Sequence, residues 1–427
     1  MNRRNFLLSV AAPRPRPNVL FLFSDDHRFD TIHALGNRDI LTPHLDRLCA
    51  RGVAFTQASI MGGNQGAVCV PSRAMLMTGQ TLHHATAALA GQRPYHLWPA
   101  VFAQAGYQTF GAGKWHNGPK LYHEAFADGG PIFFGGMEDH YRTPLHRFNP
   151  AGQYPPAAAV RSPKQSATEL FADGLLDFLG RRDKAKPFCA YVAFTAPHDP
   201  RQAPPEWQAR YAPEKMKLPE NFLPQHPFDN GELAVRDEKL LPFPRTPEAV
   251  RKEIADYYAL ISYLDSQIGR ILEAIDENTI VVFAGDNGLA LGQHGLLGKQ
   301  NLYDHSIRVP LIVAGPGIVK GRRSEALVQL VDCFATLCEL AGIPKPPTVE
   351  GESFAPALRG KPFAGRPYTL HYYRDFQRAV RTRTHKLIRY TVNGKVTRQL
   401  FDLRRDPGEK SSLDDAKKMA ELEALLG

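Results

Sequence analysis

The sequence is poor in paired cysteine. Its five cysteines are Cys49, Cys69, Cys189, Cys333 and Cys338, with no CxxC pair and no metal-like cluster among them, which excludes a zinc ribbon or finger. Cys189 sits in an apolar run and Cys49 in a helical one, so both read as buried thiols; Cys333 and Cys338 are close enough in sequence to pair. No apolar run is long enough to cross a bilayer, so stable membrane insertion is not expected. Long basic runs are also absent. The net charge of +9 therefore does not mark a nucleic-acid binder. A basic surface favours anionic partners, though a scattered excess of Lys and Arg accounts for it as well.

The chain begins MNRRNFLLSVAAPRPRP. Arg3-Arg4-Asn5-Phe6-Leu7 is similar to a twin-arginine export signal. The apolar stretch Phe6 to Ala12 is short for a signal core, and Pro13, Pro15 and Pro17 end it. Residues 1–17 thus read as a degenerate signal and linker, with export to the periplasm or beyond as the expectation and the cytoplasm as the alternative.

Four short apolar runs read as buried strands: Asn18–Phe23, Tyr107–Gly113, Phe188–Phe194 and Thr279–Gly285. Helical patterns lie between them. PHLDRLCARG has Pro43 at a first-turn position and Gly52 as its stop. From Val250 to Ile275 apolar residues recur in steps of four and three, which predicts a long amphipathic helix. Strands alternating with helices predict an α/β fold with a large, mainly parallel sheet flanked by helices over 18–344. Beyond Lys345 the pattern alternates about an Asn393-Gly394 turn, which predicts a smaller antiparallel unit over 345–427. Gln202 to Pro247 is proline-rich and irregular, and a loop of that length is usually functional or disordered.

Each of the four runs is followed by charged or imidazole groups: Ser24-Asp25-Asp26-His27, Lys114-Trp115-His116, Thr195-Ala196-Pro197-His198 and Asp286-Asn287-Gly288. Ligand sites in open α/β sheets lie at the carboxyl ends of the strands. Asp25, Asp26, Asp286 and Asn287 offer hard oxygen donors, suited to Ca²⁺ or Mg²⁺ rather than Zn²⁺. Arg73, Lys114, His116, His198 and Lys299 add cationic groups able to hold a tetrahedral oxyanion. Either the Asp pair or the Asp-Asn-Gly turn alone would read as a cap or a turn; after separate strands, together, they read as a metal site.

With CVPSR from Cys69, GKWH, APHDP, GDNGLALGQHGLLGK, RVPLIV and LFDLRRDPGE in order, the chain resembles the type I sulfatases of the alkaline-phosphatase-like superfamily from Asn18 to about Glu409. The resemblance implies that Cys69 is a precursor, oxidised by a formylglycine-generating maturation enzyme. It implies that one hydroxyl of the hydrated aldehyde attacks sulfur and the other expels sulfate, an exit that a thiol or a serine lacks. It also implies a cation, Ca²⁺ with Mg²⁺ as alternative, at Asp25, Asp26, Asp286 and Asn287. Arg73 and Lys114 would hold the formylglycine, His116 would be the base for sulfate release, and His198 and Lys299 would bind sulfate and protonate the leaving alcohol. His294 could share the acid role. Arg201, Gln202, His371, Tyr372 and Arg374 are candidates for reading the sugar of a sulfated glycan or other small sulfated molecule. Two features depart from the family pattern: the glycine-rich GGNQGA before Cys69 and Asn117 in KWHNG. The alternatives are a phosphonate or phosphodiester hydrolase of the same superfamily and, more distantly, an inactive polyanion-binding relative.

Overall fold

The computed structural model describes residues 16–156 and 165–426. The proposed export signal, Arg3 to Ala12, lies outside them.

The strands in chain order are β1 (Asn18–Ser24), β2 (Gly52–Phe55), β3 (Ala58–Ser59), β4 (Gly62–Gly63), β5 (Gln108–Lys114), β6 (Asp128–Phe133), β7 (Phe188–Ala193) and β8 (Thr279–Gly285). They continue as β9 (Leu311–Ala314), β10 (Arg322–Ser324), β11 (Val328–Gln329), β12 (Thr369–Tyr373), β13 (Gln377–Arg381), β14 (His385–Val392) and β15 (Lys395–Asp402). Eight of them form one sheet in the order β10-β2-β9-β8-β1-β7-β5-β6. All pairings in it are parallel except those of β9 with β8 and with β2. The expected large, mainly parallel sheet flanked by helices is present.

β1 is fully buried, as both faces of the sheet are covered. Val19, Phe21 and Phe23 enter one apolar cluster with Leu76, Trp98 and Phe334, which lie on the helices Cys69–Thr78, Trp98–Gln104 and Asp332–Ala341. Leu20 and Leu22 enter the other with Leu45, Phe171 and Ile261, from the helices Pro43–Arg51, Ala167–Arg181 and Pro247–Ala274. The long helix starts where Thr246 accepts a hydrogen bond from the Ala249 amide and Pro247 occupies the first turn. Its buried stripe includes Val250, Ile254, Tyr257, Ile261, Leu264, Ile268 and Ile271, the positions the four-three spacing marked.

Strand register is what aligns the site. Ser24 pairs with Gly285, so Asp25 and Asp286 leave neighbouring strands at the same level. Gly113 pairs with Ala193, which brings Lys114 out beside the segment that carries His198. Gly113 is required there: its φ is +92°, and a Cβ would fall 1.8 Å from the Ala193 carbonyl oxygen.

The second sheet has the order β15-β14-β13-β12-β4. β12 to β15 are antiparallel, with Asn393 and Gly394 at φ 50° and 76° in the predicted hairpin turn. Its fifth strand is not C-terminal in sequence. β4 is Gly62–Gly63, the start of GGNQGA, and pairs in parallel with Tyr372 and Tyr373. A Cβ on Gly62 would lie 2.1 Å from the Tyr372 carbonyl oxygen. The glycine-rich departure noted in the sequence is thus the seam between the two sheets. Asp304 reinforces the seam from the main body, taking Lys386 Nζ at 3.0 Å and both Arg381 Nε and Nη2 at 3.0 Å, all buried. All five cysteines are free and buried; Cys333 and Cys338, five apart on one helix, do not pair.

Candidate active site

Cys69 is the first residue of the helix Cys69–Thr78 and is 2 % exposed. No side chain caps this helix start, so the positive end of the helix dipole falls on Cys69 and favours negative charge there. His116 Nδ1 lies 3.2 Å from Cys69 Sγ and Lys114 Nζ lies 3.7 Å from it. Burial pushes the Cys69 thiol up, against the pull of Lys114 and Lys299, so the unmodified thiol is protonated and a poor nucleophile. Burial, then Lys114 and Arg73, push His116 down to about 3, so its ring is a neutral base near pH 7.

Behind Cys69 lies a buried carboxylate cluster. Lys114 pairs with Asp25 Oδ2. Arg73 gives Nε at 3.0 Å and Nη2 at 2.8 Å to Asp286 Oδ2, and Ser72 Oγ donates to the Asp286 carbonyl at 2.5 Å. Asp26 takes Lys299 Nζ at 2.6 Å and Asn287 Nδ2 at 2.7 Å on Oδ1. Burial opposes the charge on Asp25, but Lys114, His198 and Arg73 hold it well below the usual carboxylate range. Burial and the charge of Asp25 push Asp286 up to about 7 despite Arg73. Arg73 Nη2 reaches both, 3.9 Å from Asp25 Oδ2 and 2.8 Å from Asp286 Oδ2, yet Asp286 stays raised, so the pair lacks full charge compensation.

A hard divalent cation fits that lack. Asp25 Oδ1 and Asn287 Oδ1 are buried acceptors with no hydrogen-bond partner among the described residues. Ligand atoms of Asp25, Asp26 and His198, and of Asp25, Asp286 and Cys69, gather within 4.8 Å of one another. The orphaned atoms are oxygens, the donors Ca²⁺ and Mg²⁺ take. Asp26 and His116 both have φ near +60° (58° and 64°), a conformation costing a non-glycine residue ~1–3 kcal/mol and concentrated at functional sites.

His198 lies with Nε2 3.5 Å from Asp26 Oδ2. Its Nδ1 is 2.8 Å from the Asp199 carbonyl, which can only accept, so Nδ1 carries a proton and Nε2 faces the cluster. Cys69, His116, His198 and Lys299 line a cavity of about 290 Å³. Gly66 and Ala67, from the GGNQGA stretch singled out before Cys69, also line it; the sequence reading missed Gly136, Met137, Val235, Arg236, Asp237 and Gln300. Three of these come from the irregular Gln202–Pro247 segment, whose length was the one available signal.

The remaining candidates lie elsewhere. His371 is fully buried, its Nδ1 2.7 Å from the Ile60 carbonyl and Nε2 2.9 Å from Thr369 Oγ1, so it offers no surface to a substrate. His294 stacks on Tyr303 at 3.8 Å, contacts Asn221 and does not line the cavity. Gln202 holds Asp139 and the His140 amide. Tyr372 packs on His83. Arg201 pairs with Glu253 in a neighbouring cavity, and Arg374, paired with Glu232 at 2.8 Å, adjoins Gly66 at the rim. For these residues alternating or loop sequence could not say which side faces the site.

The family profile described as Sulfatase matches residues 17–343, and one described as N-sulphoglucosamine sulphohydrolase, C-terminal, matches 292–427. The chain is 26% identical to an N-acetylglucosamine-6-O-sulfatase of Bacteroides thetaiotaomicron, over 98% of this chain and 88% of that protein. It is 30% identical to a choline-sulfatase of Rhizobium meliloti, over 93% and 82%. A solved structure in complex with its substrate D-glucosamine-2-N,6-O-disulfate superposes with a TM-score of 0.79 at 26% identity, covering 96% of this chain and 97% of that one. The chain belongs to the sulfatase family and is a sulfuric ester hydrolase.

Proposed function

We propose that the chain cleaves sulfate monoesters of a sulfated carbohydrate, with Cys69 matured to formylglycine and one Ca²⁺, or alternatively Mg²⁺, at Asp25, Asp26, Asp286 and Asn287. The observation that carries this reading is Cys69 at a helix start, flanked by His116 and Lys114 and backed by buried oxygens with no donor among the described residues. The substrate class is supported by similarity to proteins whose names specify sulfated sugars. Export through the twin-arginine-like segment belongs to the same proposal.

The cation supplies positive charge beside position 69 and lowers the pKa of a hydroxyl there. Three carboxylates, of Asp25, Asp26 and Asp286, face three basic side chains, Arg73, Lys114 and Lys299. With a divalent cation held by Asp25, Asp26, Asp286 and Asn287 the pocket would be net positive, suited to a sulfate ester. Lys114 and Arg73 anchor the carboxylates. His116 stays neutral and takes a proton from the group at position 69. His198 and Lys299, both beside Asp26 and both lining the cavity, are placed to protonate a leaving oxygen.

The two histidines are separable by experiment. His198→Ala is expected to cost a sugar sulfate roughly 10²–10⁴-fold in kcat/KM and nitrophenyl sulfate much less, since nitrophenolate leaves unaided. His116→Ala should slow both substrates alike. Equal losses on both substrates for His198→Ala would move the acid role to Lys299. A phosphonate ester assayed in parallel decides between the sulfate and phosphonate readings.

Gly136 also bears on His116. A Cβ there would fall 2.7 Å from His116 Cε1 and 2.8 Å from Nε2. Gly136→Ala should displace the ring and lower kcat by up to about 10²-fold, the scale of an ångström-level misplacement, with little change in the thermal melt. Unchanged kcat would show that the ring position is not critical.

A further inference from the structure

The cavity around Cys69 is flanked by a larger one of about 630 Å³. Met137 and Arg236 line both. Met137 is 43 % exposed, an unusual display for a large apolar side chain. Arg236 is 46 % exposed and yet held in place: Nη1 lies 2.9 Å from Asp199 Oδ1 and 3.1 Å from Asp237 Oδ1, and Nη2 closes a bidentate pair with Asp199. Asp199 follows His198 directly, and its carbonyl holds the His198 ring. One guanidinium thus marks the boundary between the chemistry and the adjoining space.

We propose that the alcohol portion of the substrate passes between Met137 and Arg236 into this second cavity, making these two residues determinants of specificity. The proposal rests on the carbohydrate reading above and deepens it: the substrate extends at least one sugar beyond the sulfated unit. Met137 supplies an apolar surface for a sugar ring face, and the N–H donors of Arg236 that Asp199 and Asp237 do not engage donate to ring hydroxyls. The charge of the cavity restricts the adjoining sugar. Its lining carries five carboxylates, among them Asp199 and Glu253, against the guanidiniums of Arg201 and Arg236. Both guanidiniums are already paired, Arg201 with Glu253 and Arg236 with Asp199. Lys252 already holds Asp256 at 2.6 Å, and the lining offers a second sulfate no guanidinium that is not engaged with a carboxylate, so the adjoining unit is neutral or amine-bearing.

The test uses the full-length matured enzyme. A panel of hexose and hexosamine monosulfates, including N-acetylglucosamine 6-sulfate, first identifies the sulfated unit. That unit is then compared with two disaccharides that extend it by an unsulfated or by a sulfated sugar. The unsulfated disaccharide should exceed the monosaccharide in kcat/KM by about tenfold or more, and the sulfated one should fall below it. Arg236→Ala and Met137→Ala should each erase most of the gain, losing far more on the disaccharide than on the sulfated monosaccharide, while Arg236→Lys keeps part of it. Equal rates on monosaccharide and disaccharide, equal losses of Arg236→Ala on disaccharide and sulfated monosaccharide, or preference for the sulfated neighbour would each overturn the proposal. Turnover of nitrophenyl sulfate with every sugar sulfate inert would instead overturn the carbohydrate reading beneath it.

Discussion

Cys69→Ala is expected to reduce turnover of nitrophenyl sulfate by on the order of 10³-fold or more, the scale of losing a nucleophile, with a nearly unchanged melting temperature. The stability expectation follows from the surroundings. The Cys69 side chain makes weak sulfur contacts to His116 Nδ1 at 3.2 Å and Lys114 Nζ at 3.7 Å and anchors no buried charge, since Lys114 retains Asp25. The functional expectation follows from the thiol. Burial pushes its pKa up, so a plain cysteine here would be a feeble nucleophile. Peptide mass spectrometry of active material should find the aldehyde at position 69 in proportion to activity. Full activity with only unmodified cysteine at that position would sink the maturation proposal.

Asp25→Asn should remove bound metal and activity together, with kcat falling by on the order of 10³-fold, a few kcal/mol of lost charge stabilisation. The side chain sits at the centre of the cluster, its Oδ2 paired with Lys114 and 3.9 Å from Arg73 Nη2, its Oδ1 orphaned. Lys114 is itself 0 % exposed at its side chain. Removing its partner leaves a buried cation, a change that typically costs about 3–5 kcal/mol of stability. The variant should therefore melt earlier as well. Because lost folding could mimic lost metal, the wild type provides the second arm. Exhaustive chelation should abolish activity with the fold retained by circular dichroism, and Ca²⁺ should restore it better than Mg²⁺. Elemental analysis showing metal-free, fully active protein would rule out the cation.

Some of this site was legible in one dimension because each part depends on neighbours in sequence. A strand that must be buried on both faces is a continuous apolar run, so Asn18–Ser24, Phe188–Ala193 and Thr279–Gly285 stand out, and so do the polar residues that follow them. The four-three spacing of Pro247–Ala274 marks its buried stripe for the same reason. Asp25, Asp286, Lys114 and His198 could be read as strand-end residues, and the register of β1 with β8 and of β5 with β7 then sets their mutual positions.

The chain's own order determined which residues stand at strand ends, since backbone periodicity and local motifs are written in neighbouring positions. Only the tertiary structure decided what faces the cavity. His371 and Tyr372 are adjacent on β12, yet one is sealed against Ile60 and the other half-buried against His83, because successive strand residues point to opposite faces. Gly62 and Gly63 join a sheet whose other strands begin at Thr369, and Val235, Arg236 and Asp237 reach the cavity from an irregular segment with no period. Such contacts arise from packing between segments hundreds of residues apart, and packing of that kind leaves no pattern along the chain.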